Sequence, residues 1–168
     1  MKMLARKLGK AERSDLLVCT RADGSVVQVA MPRQGVLPHD LIHWVVESTL
    51  PFRHGFLSQV ADGASIAIDA GMSYVEGPAR HVVESGQVES IVEALQTQLW
   101  AGAFDAAAFL EGVRLACESR QLPVPALPEA ELEARLFERA RELHAQWMQV
   151  PPQQALALEF ERAAFATG

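Results

Sequence analysis

Residues 14–32 read SDLLVCTRADGSVVQVAMP, and they carry the plainest secondary-structure signal in the chain. Two runs rich in valine and leucine flank Ala22-Asp23-Gly24-Ser25. Asp-Gly between such runs is the strongest short hairpin signal, because both turn positions of a two-residue loop favour positive φ. With Asp23 and Gly24 as that loop, Thr20 faces Val27, Val18 faces Val29 and Leu16 faces Met31. This face is apolar, while the opposite one pairs Arg21 with Val26, Cys19 with Gln28 and Leu17 with Ala30. A sheet with one buried face follows from the register. Residues 2–8 offer a further strand with poor alternation.

Working outward, Pro38 sits where a first-turn proline belongs, and residues 38–50 read as a helix ended by Pro51. A shorter helical piece follows and closes at Gly63, and "IAIDAGMSYVEGPA" (66–79), with two glycines and a proline, reads mainly as loop. Val88, Ile91, Val92, Leu95 and Leu99 recur at helical spacing, and a second helix runs from Asp105, its N-cap, to Ser119. The proline-rich stretch 122–128 is the one clear linker. Beyond it, residues 129–149 form the strongest helix, with Leu132, Leu136, Ala140, Leu143, Trp147 and Val150 as inner stripe. "ALALEF" (155–160) alternates as a strand returning to the N-terminal sheet; the rival reading is a helix through Phe165. The expectation is a single α+β domain over 1–168: a small antiparallel sheet from the N-terminal hairpin and C-terminal strand, covered by a helical middle, 38–149.

Composition bounds the function. Apolar residues at 49% and charged residues at 21% are those of a globular protein, not a disordered one. A net charge of −6 argues against a nucleic-acid binder, and Arg33, Arg53 and Arg80 are too sparse to build a basic field. Cys19 and Cys117 give neither zinc spacing nor a disulfide framework, and read as buried or half-buried thiols. The opening MKMLARKLGK has no apolar stretch behind its charges, and no apolar run approaches the ~20 residues of a membrane helix. A cytoplasmic location is expected, with no membrane or nucleic-acid partner. There is no Gly-rich phosphate loop, GxSxG or CxxC.

The candidate chemistry sits on the first helix, LPHDLIHWVVE (37–47). On a wheel of about 100° per residue, His39, His43, Glu47 and Asp40 fall at about 0°, 40°, 80° and 100°, a polar stripe beside the apolar arc. Histidines at i and i+4 can reach one metal ion, zinc being the usual one. The sequence His39-Asp40-x-x-His43 departs from the zincin motif HExxH, since Asp is one methylene shorter than the glutamate that activates water there. Glu47 lies ~12 Å along the axis from His39, too far to share an ion with it. A third ligand must come from elsewhere, and His54, Glu76, His81 and Glu84 are the options near in sequence. The bland alternative makes Asp40 a helix-start residue and His43 a partner of Glu47. Arg53-His54-Gly55 reads as a solvated turn, and Trp44 as packed under a neighbouring helix.

The run Leu37-Pro38-His39-Asp40-Leu41-x-His43-x-Val45-Val46-Glu47 resembles one found in a small family of uncharacterised bacterial proteins. The likeness extends to the β-hairpin start, Gly55-Phe56, and an ending of Trp147, Val150 and Pro151 before "LALEF". It implies a C-terminal strand, and no reaction, substrate or cofactor. The leading functional expectation is a non-catalytic protein acting by binding a protein partner or by self-association as a homo-oligomer. The runner-up is a metal-binding protein or metal-dependent hydrolase using His39 and His43, with Asp40 and Glu47 supporting the ligands.

Overall fold

The computed structural model describes residues 1–69, 72–76 and 78–164, the side chains of 67–74 apart. The hairpin is present, but its loop holds three residues rather than two. Arg21 N donates to Ser25 O (2.9 Å), Gly24 N donates to Arg21 O (3.1 Å), and of the loop only Gly24 takes positive φ, +85°. This is the loop in which a left-handed glycine follows the turn. Asp23 favours it by accepting from Ser25 N (2.9 Å) and Ser25 Oγ (2.7 Å) without itself entering the left-handed region. The extra residue shifts the register by one, so strands β2 (Ser14–Thr20) and β3 (Val26–Pro32) pair Leu17 with Val29 and Asp15 with Met31. A one-residue slip exchanges the faces. Leu17, Cys19, Val29 and Met31 are buried, whereas Leu16, Val18 and Thr20, expected inside, sit half-buried on the outer side.

Strand β1 (Lys2–Arg6) pairs with β2 on one edge; on its other edge lies the last strand of the sheet, Ala155–Glu159, so the expected C-terminal strand is there. All neighbours are antiparallel. Lys2 lies opposite Glu159, and Met1 and Phe160 exchange backbone hydrogen bonds of 2.9 and 2.8 Å. The alternation of β1 reads poorly because Leu4 is on the outer face, 40% exposed, while Met3 and Ala5 point inward. Arg21 anchors the hairpin to the helical layer by donating to Val60 O (2.6 Å) and Ala64 O (2.8 Å).

Helix α1 (His39–Thr49) buries Leu41, Ile42, Val45 and Val46 in the core that also takes the inner face of the sheet. Helix α2 (Phe56–Ala61) ends before Gly63, whose φ is +96°. The segment 66–79, expected mainly as loop, instead lies largely in an antiparallel ribbon of β4 (Ser65–Asp69) and β5 (Met72–Glu76), which makes the C-terminal strand β6. Its glycines and proline hid the period-2 alternation of Ser65-Ile66-Ala67-Ile68. Helices α3 (Val82–Ala101) and α4 (Ala106–Ser119) follow, the second capped by Asp105, which accepts from Ala108 N at 2.9 Å. Residues 122–128 have no regular structure.

The long helix expected over 129–149 changes pitch along its length. A 3₁₀ turn, Glu129–Glu131, leads into wider π turns over Glu133–Glu138 and then α5 (Arg139–Gln149). Leu132, Leu136, Ala140, Leu143 and Trp147 are buried as the stripe predicts. The wider turns also carry Phe137 inward, where its ring lies 5.6 Å from that of Phe104. The fold is α+β, a four-stranded antiparallel sheet covered by helices. No helix among the described residues is long and apolar enough to cross a membrane.

Candidate metal centre

His39 and His43 begin α1, one turn apart, and their rings meet edge to face with centroids 5.1 Å apart. The polar stripe they share is not a solvated edge, because α3 lies across it. Glu89 of α3 reaches both histidines: His39 Nε2 stands 3.0 Å from Glu89 Oε1, and His43 Nε2 3.0 Å from Glu89 Oε2. Further along α3, Gln96 Oε1 stands 3.5 Å from His39 Nδ1. Moving back from His43 to His39 runs forward from Glu89 to Gln96, so the helices pass in opposite senses. One ligand atom from each of His39, His43 and Glu89 can be chosen so that all three lie within 4.8 Å of one another.

Glu47, one turn after His43, is fully buried, and its carboxylate has three polar partners. Oε1 lies 3.0 Å from His43 Nδ1 and accepts from Leu57 N (3.0 Å), while Oε2 accepts from Ser58 N (2.8 Å). These two amides open α2, where backbone N–H groups have no helical acceptor. Gly55 makes the approach possible: a Cβ there would stand 2.3 Å from Glu47 Cδ. Glu47 therefore pairs with His43, a contact that the structural and the metal-binding readings of this helix both expected, and ties it to a second helix.

The electrostatics follow from this packing. Burial opposes the charge of His43, yet the hydrogen bonds of Glu47 and Glu89 outweigh it and hold the imidazole up to about 10. Burial likewise opposes the charge of Glu89, and the hydrogen bonds of His39 and His43 overcome it, holding the carboxyl far below its usual range. Burial pushes the Asp40 carboxyl upward against the pull of the two histidines. Asp40 is buried on α1 but is not part of the three-residue cluster. The cluster is open to solvent at His39 and Glu89, whose side chains are 26% and 35% exposed, and closed at His43, at 4%.

The third member, Glu89, is not among the residues the sequence singles out. His54, His81 and Glu84 meet instead at a separate place. His54 pairs with Glu84, which also accepts from Arg53 N (2.8 Å), and the rings of His54 and His81 stack at 3.7 Å. Glu76 is exposed at the end of β5. A signal for Glu89 does exist: it and Gln96 are seven residues apart, two helical turns, on the border of the apolar stripe of α3. Trp44, read as packed under a neighbouring helix, is half-buried. Its Nε1 donates to Glu159 O (2.9 Å) and its ring lies under the Arg139 guanidinium. Comparison of the chain with protein-family models, with curated proteins and with solved structures finds no match.

Proposed function

We propose that the protein binds one divalent metal ion, of the zinc class, on His39, His43 and Glu89. The observation that carries this reading is the convergence of three ligand atoms, with both outer ring nitrogens turned toward acceptors. Separations of 3.0 Å between each histidine Nε2 and Glu89 are close to the ~3.3 Å that neighbouring ligands span in a tetrahedral site with bonds of about 2.0–2.1 Å. Histidines that hold metals place their second nitrogen on a carboxylate or carbonyl oxygen, which fixes the tautomer. Glu47 stands in that position for His43, and Gln96 for His39. The exposed sides of His39 and Glu89 would leave a bound ion open to water, and a metal-dependent hydrolase is the activity that would use that water.

The test is calorimetry of zinc binding to chelator-stripped protein, beside His39→Ala, Glu89→Gln and the His39→Ala, His43→Ala double variant. The expected result is one equivalent bound by the wild type and at least a hundredfold loss in each variant. His39→Ala and Glu89→Gln alter half-open side chains, so their folding is checked independently by circular dichroism. No zinc binding by the wild type, or full affinity in folded Glu89→Gln, overturns the proposal. A second reading, self-association without catalysis, is favoured by the outer sheet face, where Leu4 and Val26 are 40% and 53% exposed. A mass that rises with concentration in sedimentation supports it, and a constant monomer mass removes it.

A further inference from the structure

Arg135 and Arg139 are four residues apart and so share one face of their helix. That face borders a cleft of about 810 Å³, walled by Leu50, Pro51, Phe52, Leu127 and Pro128. Small-molecule sites occupy roughly 300–1,000 Å³ and are mostly apolar with a few convergent polar groups. Thr49 ends the helix that His39 begins, and the arginines gather at Thr49, so the cleft is distinct from the metal centre.

Arg139 donates to Thr49 Oγ1 (2.7 Å) and its guanidinium lies 4.6 Å over the Trp44 ring. Among the described residues it has no carboxylate within ion-pair distance. Arg135 donates to Thr49 O (2.9 Å) and reaches the largely exposed Glu131 at 3.3 Å. Burial and the like charge of Arg135 both push the Arg139 guanidinium below its usual range. A half-buried cation without a counter-charge is costly, and acidic residues are not scarce here, at 21 against 15 basic ones. An anion bound between the two guanidiniums relieves both penalties. Two arginines and one glutamate leave a net charge of +1, which matches a monoanion and disfavours a dianion. Proline walls offer no N–H donors of the kind a phosphate needs.

We infer that the cleft binds a small monocarboxylate with an apolar tail, its head group held by Arg135 and Arg139 and its tail against Leu50, Phe52 and Leu127. Guanidiniums bind carboxylates through paired, parallel hydrogen bonds. Calorimetry with decanoate, decanol and inorganic phosphate tests this on the whole chain, without added metal. Expected are saturable binding of decanoate near one equivalent, at least tenfold weaker binding of decanol, and no competition by phosphate. Arg139→Gln and Arg135→Gln should each weaken decanoate at least tenfold, in variants with wild-type circular dichroism. Arg135 is the more exposed of the two, so its variant serves if Arg139→Gln fails to fold. No saturable binding by the wild type, equal affinity for decanol, displacement by phosphate, or full affinity in a folded arginine variant overturns the inference. Zinc binding by the same sample is unaffected in either case, so this site and the metal centre fail separately.

Discussion

Glu47 concentrates three jobs in one carboxylate. It orients His43, closes two free amides of α2, and leaves no room for a side chain at Gly55. Glu47→Ala leaves His43 paired on one side only and two buried N–H groups without acceptors. Removing one partner of a buried ionic contact costs about 3–5 kcal/mol. For a chain of this size that lowers the melting temperature by roughly 6–20 °C, measured by calorimetric unfolding of the metal-free protein. Gly55→Ala meets the same carboxylate from the other side, and overpacking of this kind costs about 1–3 kcal/mol. Because Gly55 touches no proposed ligand, a loss of zinc affinity in folded Gly55→Ala marks Glu47 as the group that positions His43. Unchanged affinity alongside lowered stability assigns Glu47 a purely structural part.

At the scale of elements, the hairpin shows how one loop residue decides which side chains enter the core. The three-residue loop depends on Gly24 at φ +85°, where a Cβ is penalised by about 1–2 kcal/mol. Gly24→Ala is expected to cost that much in urea unfolding, with no change in the slope of the transition. A loss below about 0.3 kcal/mol would show that the loop can rearrange. Elements were legible in the sequence wherever period and punctuation agreed: α1 between Pro38 and Pro51, α4 from the Asp105 cap, and the alternation of Leu156, Leu158 and Phe160. They were hidden where the two conflicted, as in β4 and β5, or where Asp23 chose between two loops by its own hydrogen bonds. The site was half legible. His39, His43 and Glu47 share a helix, so their spacing places them together. Glu89 belongs to another helix 46 residues beyond His43, and only the crossing of α1 over α3 shows that their polar borders meet.

At the scale of the molecule, both cysteines are buried among apolar residues and report on opening of the core. Burial, reinforced by the charge of Asp40, pushes the Cys19 thiol up to about 12, from 9.0 when unburied. The folded state therefore keeps this proton after the unfolded chain has released it. The associated stability is complete below pH 9.0 and declines as pH rises toward 12. Thiol labelling at pH 8 should track the population of the unfolded state and accelerate in urea as that population rises. Rapid labelling of the native protein at either cysteine counts against this tight core. The sheet has a further consequence, in the order in which the chain is made. Strand β1 is made before β2 and soon finds it, yet its other edge must wait for residues 155–159. At 5–20 residues per second that wait lasts on the order of 10 s. Through all of it an unpaired edge stands open beside a half-built core, so during synthesis the nascent chain depends on whatever shields β1 until its last partner arrives.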